Sequence, residues 1–155
     1  MTGIKIDNNI FYENCIGSIQ CQGSDRGALQ MYGGSYGAQI RNNIYYNTRC
    51  PGCFIAGSGT QGSTYTLSGN RLATNPNMVN APILSAPATA PASPNFHLTN
   101  GSVAIDAGLN LSSSGVTTDF SGNVRPVGNG YDVGAYEFSS NDSAPPAPPV
   151  NLIVQ

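Results

Sequence analysis

Five ionisable side chains gather in the last third of the chain: Asp106, Asp119, Arg125, Asp132 and Glu137. Glycoside hydrolysis needs two carboxylates across a bond and calcium needs roughly six to eight oxygens, so these residue types permit an acid/base pair or a cation site. They sit beside Gly and Pro residues that set turns, however, and an Asp/Arg network there would tie irregular backbone together; the structural reading is the stronger. His97 is the single histidine. Placed between Phe96 and Leu98, with no Ser or Cys nucleophile motif nearby, it reads as a packed or surface residue. Of the basic residues Lys5, Arg26, Arg41, Arg49 and Arg71, only Arg26 adjoins a carboxylate within an insertion, which makes Asp25 and Arg26 the best local pair for contacting a sugar. Tyr32 and Tyr36, in the Gly-rich stretch that follows, offer planes for sugar stacking. No catalytic residue is assigned, and no metal site.

The elements that must position these side chains have an unusual composition. Of 155 residues only 9% are charged, 19 are Gly and 11 are Pro, and Trp is absent. No stretch reads as an amphipathic helix, whereas abundant Asn, Ser, Thr and Gly suits short strands joined by tight turns. The net charge of -2 argues against a nucleic-acid partner and against attraction to anionic membranes. No apolar run approaches the roughly 20 residues needed for membrane insertion.

A phrase recurs through the first half: Ile6-Asp7-Asn8-Asn9-Ile10-Phe11-Tyr12, Ile40-Arg41-Asn42-Asn43-Ile44-Tyr45-Tyr46 and, more loosely, Leu67-Ser68-Gly69-Asn70-Arg71-Leu72. Asn9, Asn43 and Asn70 occupy one slot, 34 and then 27 residues apart. Repeats of about this length mark solenoids. The expectation is therefore an all-β, right-handed single-stranded parallel β-helix, its C-terminal coils at 1–80. A Pro-rich crossing segment and irregular cap follow at 81–138, a Pro/Ser/Ala linker at 139–150, and the start of a further module or tail at 151–155. Strict alternation would send Ile40, Ile44 and Tyr46 inward, stacked on Ile6, Ile10 and Tyr12. The Asn slot reads as a structural column, because side-chain amides on rungs about 4.8 Å apart can hydrogen-bond to one another and to the turn backbone.

Aligning Asn9 with Asn43 sets Cys15 almost over Cys50, one coil apart. A rung spacing of about 4.8 Å lies within the disulfide Cα range of about 4.4 to 6.8 Å, so that bridge is geometrically natural. Cys21 and Cys53 are less well aligned, leaving their bridge less defined. A zinc site and free buried thiols remain alternatives, although the first Cys spacing is wide for a zinc knuckle and no His joins it. Disulfides would imply export. Asn100, Asn110 and Asn141 each begin a glycosylation tripeptide, as chance allows in an Asn- and Ser-rich chain.

The order of short motifs carries a resemblance. Asn75-Pro76-Asn77-Met78-Val79-Asn80, Asn95-Phe96-His97-Leu98, Ala104-Ile105-Asp106-Ala107-Gly108, Asp119-Phe120-Ser121-Gly122-Asn123-Val124-Arg125-Pro126 and Asp132-Val133-Gly134-Ala135-Tyr136-Glu137 follow one another at sensible spacing. This series resembles the C-terminal end of bacterial right-handed β-helix proteins, the pectate-lyase-like, secreted or surface-anchored proteins described as choice-of-anchor proteins. The resemblance spans roughly residues 4–138; Val103, where the pattern more often has Pro, departs from it. It implies a secreted or cell-surface bacterial protein that binds or processes polysaccharide, a polysaccharide lyase or glycoside hydrolase when full length. Adhesins share the pattern, so a non-catalytic surface stalk is the alternative. Uronate lyases of this kind use an Arg or Lys base with carboxylate-held calcium. These coils assemble no such carboxylate group, so no cofactor is evident here. Calcium and the catalytic centre are expected in upstream coils, and residues 1–155 alone are expected to be inactive. Met1-Thr2-Gly3-Ile4 leads straight into a repeat, suggesting a monomer that continues into N-terminal coils and a C-terminal module.

Overall fold

The computed structural model describes residues 3–12, 29–30, 37–46, 55–56, 64–81 and 94–140. Its strands in chain order are β1 (Lys5–Asp7), β2 (Ile10–Tyr12), β3 (Leu29–Gln30), β4 (Ala38–Arg41), β5 (Ile44–Tyr46), β6 (Ile55–Ala56), β7 (Tyr65–Ser68), β8 (Arg71–Leu72), β9 (Met78–Asn80) and β10 (Asn95–Leu98). A 3-10 turn at Ser112–Ser114 follows within otherwise irregular backbone.

Three strand-turn-strand units stack in parallel. Ile6 lies opposite Ile40 and Ile40 opposite Leu67, while Ile10 lies opposite Ile44 and Ile44 opposite Arg71. These offsets equal the spacing of the repeated Asn residues. The turn between the strands needs one residue in the left-handed region, occupied by Asn8 (φ 57°), Asn42 (φ 51°) and Gly69 (φ 64°). Asn and Gly are the residues that reach this region at least cost, which is why the phrase is built on them.

That left-handed residue also shifts the alternation by one. Ile40 and Tyr45, with Ile6 and Phe11 packed beside them, form one apolar cluster; Ile44 belongs to another, with Leu98, Ala104 and Val133. The expected inward set is corrected accordingly: Tyr45 shares the face of Ile40, and Ile44 points the other way. A one-residue shift across a turn exchanges the two faces of the strand that follows.

The expected continuous β-helix is also corrected. The described strands lie in small separate sheets, two three-stranded and one two-stranded parallel, plus an antiparallel pair of β9 and β10. No solenoid is formed among the described residues. The physical reason lies after β8: an antiparallel pair follows, and irregular backbone from 99 onward covers Ile10 and Ile44, where a solenoid would add parallel rungs. This C-terminal segment runs along the turns. Arg71 Nη1 donates to Val103 O (2.8 Å), Asn42 Nδ2 to Ala107 O (2.9 Å) and Asn8 Nδ2 to Leu109 O (2.8 Å), while Leu109 N–H returns a bond to Asn8 Oδ1 (2.8 Å). Among the described residues no helix is long and apolar enough to cross a membrane.

Candidate functional site

The Asn residues at the second turn position form a hydrogen-bonded column. Asn43 Oδ1 accepts from Asn9 N–H (2.8 Å) and Asn9 Nδ2 (3.1 Å), and Asn70 Oδ1 accepts from Asn43 N–H (3.0 Å) and Asn43 Nδ2 (2.9 Å). The remaining amide hydrogen of Asn43 goes to Ile6 O (2.9 Å), and Asn70 Nδ2 donates to Ile40 O (2.7 Å). Asn43 is fully buried, so its amide satisfies turn groups that water cannot reach. Beside it, Arg41 forms a two-point ion pair with Asp7 on the preceding unit, at 3.0 and 2.6 Å.

The carboxylates near the C-terminus are occupied by backbone. Asp132 Oδ1 accepts from Asp106 N–H (2.7 Å) and its Oδ2 from Phe138 N–H; Glu137 accepts from Asp132 N–H (3.0 Å) and Val127 N–H (2.8 Å). Asp106 Oδ1 accepts from the N–H groups of Asn129 and Gly130, both at 2.8 Å. Arg125, buried, lies 3.4 Å from Glu137 and donates to Gly134 O (2.8 Å). Burial raises the Asp132 carboxyl, with the charges of Glu137 and Asp106 adding to that effect and the N–H groups of Asp106 and Phe138 opposing it. Burial also pushes Asp119 upward, but bonds from the Asn123 side chain and the N–H groups of Glu137, Asn123 and Ser121 outweigh it and hold Asp119 below the ordinary carboxylate value. Carboxylates so engaged organise backbone. Among the described residues no group of three or more His, Cys, Asp or Glu side chains is placed to hold a metal ion.

The structure presents a different candidate. A cleft of about 520 Å³ opens between β2 and the C-terminal segment, walled by Tyr12, Met78, Phe96, Phe120 and Tyr136, with Asn9 contributing polar surface. Phe120 is 80% exposed although its backbone is firmly held. Its N–H donates to Ala135 O (2.8 Å), a bridge joins Thr118 to Val124, and Asp119 closes the turn by accepting from Asn123 N–H (2.8 Å), Asn123 Nδ2 (3.0 Å) and Glu137 N–H (3.1 Å). With Asp119 turned inward, Phe120 is left outward. Its ring meets Tyr136 edge-on at 5.7 Å, and Tyr136 in turn tilts against His97 at 4.0 Å. His97 is thus half-buried against an aromatic wall.

Of the residues singled out from the sequence, Asp25, Arg26, Tyr32, Tyr36 and the cysteines Cys15, Cys21, Cys50 and Cys53 lie outside the described residues, as does Arg49. Asn9, Asn43 and Asn70 come together; Asp106, Asp119, Arg125, Asp132 and Glu137 form the backbone network. Sequence reading missed Asn8 and Asn42 as clamps on the C-terminal segment, and it missed the aromatic cleft. The Asn doublets signalled the first. For the second the only local signal was Phe120, a large aromatic among Asp, Ser, Gly and Asn, residues of a turn that buries nothing. In comparisons with protein-family models, curated proteins and solved structures, nothing matches this chain.

Proposed function

We propose that the protein is an extracellular polysaccharide-binding protein whose cleft of Tyr12, Phe96, Phe120 and Tyr136 takes a neutral glycan without cleaving it. One observation carries the reading: Phe120 is held open on a locked turn beside Tyr136, where an aromatic serving only the core would be packed. The apolar C–H faces of pyranose rings stack on such surfaces, and a concave wall of several rings with a few polar groups is what a sugar chain needs. No Lys or Arg lines the cleft, so nothing there would neutralise a polyuronate. A neutral polysaccharide fits better than pectate or alginate. The engagement of Asp119, Asp132 and Glu137 by backbone amides supports binding over hydrolysis. The motif resemblance to secreted polysaccharide-handling proteins supports the extracellular setting.

Affinity electrophoresis tests this in gels containing xylan, galactomannan or hydroxyethylcellulose, with polygalacturonate and alginate as charged controls. At least one neutral polymer is expected to retard the protein, with no new reducing ends released. Phe120→Ala is expected to weaken retention about fivefold while leaving the urea midpoint unchanged, because the lost ring is exposed. Absence of retardation by every neutral polymer, or equal retention of the variant, would refute the reading.

A further inference from the structure

We infer that copies of this chain associate head to tail, the β1–β2 unit of one copy stacking on the β7–β8 unit of the next and continuing its asparagine column. The column is unfinished in complementary ways at its two ends. In the middle, Asn43 uses both amide hydrogens, one on Ile6 O and one on Asn70 Oδ1, and its N–H also goes to Asn70 Oδ1. At one end Asn70 donates to Ile40 O, but among the described residues its N–H and second amide hydrogen meet no acceptor. At the other end Asn9 Oδ1 meets no donor among the described residues, and Asn9 Nδ2 bonds within its own unit to Asp7 O (2.9 Å). Two donors are therefore open at Asn70 and an acceptor is open at Asn9. Stacking Asn9 of a second copy beneath Asn70 would supply the missing acceptor by the same contacts that Asn43 and Asn70 make.

The strands on either side match in the same register. β4 donates to β7 through Ala38 N–H onto Thr64 O, and accepts β1 through Gln39 N–H onto Ile4 O. Alternate residues of a parallel strand serve alternate neighbours, so the backbone groups of Tyr65 and Leu67 face the open edge of β7 and those of Lys5 and Asp7 the open edge of β1. Leu67 then pairs with Ile6 of the second copy, which extends the existing column of Ile6, Ile40 and Leu67. Leu72 likewise receives Phe11. Both leucines occupy positions whose counterparts Ile40 and Tyr45 are buried, yet they are 50% and 48% exposed. Lys5 falls on Thr66 and Asp7 on Ser68, so no like charges meet. Such an interface is heterologous and does not close on itself, so it generates open chains rather than dimers, in place of the monomer expected from the sequence.

Sedimentation velocity of the 155-residue protein over roughly a hundredfold concentration range provides the test. Wild type is expected to grow steadily in size with concentration, without a plateau at dimer. Leu67→Lys blocks one end and Asn9→Lys the other; each variant alone is expected to stay monomeric, and an equimolar mixture to form a dimer that grows no further. Circular dichroism establishes that the variants are folded. If they are not, the wild-type series still decides, since open growth supports the inference and a constant monomer mass overturns it. A discrete wild-type dimer, or association persisting in either variant alone, overturns it as well.

Discussion

Asn43 shows how one polar side chain organises its surroundings. Fully buried, its amide takes two hydrogen bonds from Asn9 and gives one each to Ile6 O and Asn70 Oδ1. Asn43→Leu would leave those partners without bonds in a place water does not reach, and is expected to cost about 3 kcal/mol in urea-unfolding free energy. The two perturbed carboxylates pull stability in opposite directions with pH. Asp119, lowered in the folded state, contributes stability that is fully present above its unfolded value of about 3.9 and is lost as pH falls through the folded value. Asp132, raised in the folded state, favours the fold most when protonated, and that contribution is lost as pH rises from about 3.9 through its folded value. Urea midpoints measured from acid to neutral pH are therefore expected to show a deficit for Asp119→Asn that shrinks on acidification. A deficit independent of pH would contradict the assignment to Asp119.

At the scale of elements, the turn governs what the strands can do. Its left-handed residue points the first Asn of each doublet toward the C-terminal segment and the second into the column. In the third unit that residue is Gly69, and a Cβ there would overlap Asn42 Oδ1. Gly69→Ala thus combines a positive φ with a collision, and the shift of Asn42 needed to relieve it would disturb the bond to Ala107 O. A loss of about 2 kcal/mol is expected in thermal or urea unfolding, whereas Gly122→Ala, also at positive φ but with open space around it, should cost less. The 118–124 turn works by the same economy of parts: Asp119 takes the backbone bonds inward, and Phe120 is presented outward as a consequence.

For the whole molecule, the core belongs to neither half alone. Ile44 is buried by Leu98, Ala104 and Val133, and the turns of the first two units are bonded to Leu109 and Ala107. Removal of residues 94–155 would strip one face of β2 and β5 and free the Asn8 and Asn42 side chains. That truncated chain is expected to lose cooperative unfolding by circular dichroism, while the intact protein should show coincident transitions by circular dichroism and tyrosine fluorescence. A cooperative transition in the truncated chain would show that the stacked units suffice.

By itself the sequence determined what depends on local backbone chemistry. Asn and Gly at Asn8, Asn42 and Gly69 specify a left-handed turn, and the intervals between the Asn residues are the intervals between paired strands. Only the tertiary structure decided which face of β5 is buried, because that depends on the one-residue shift at the turn and on irregular backbone some 50 residues away covering Ile44. It also decided that the strands gather into small separate sheets instead of a continuous solenoid, since the antiparallel β9–β10 pair leaves no trace in the periodicity of either strand. The aromatic cleft was equally hidden. Tyr12, Phe96, Phe120 and Tyr136 share no spacing, and they converge only because the C-terminal segment is bonded along the turns and carries its locked loop to the side of β2.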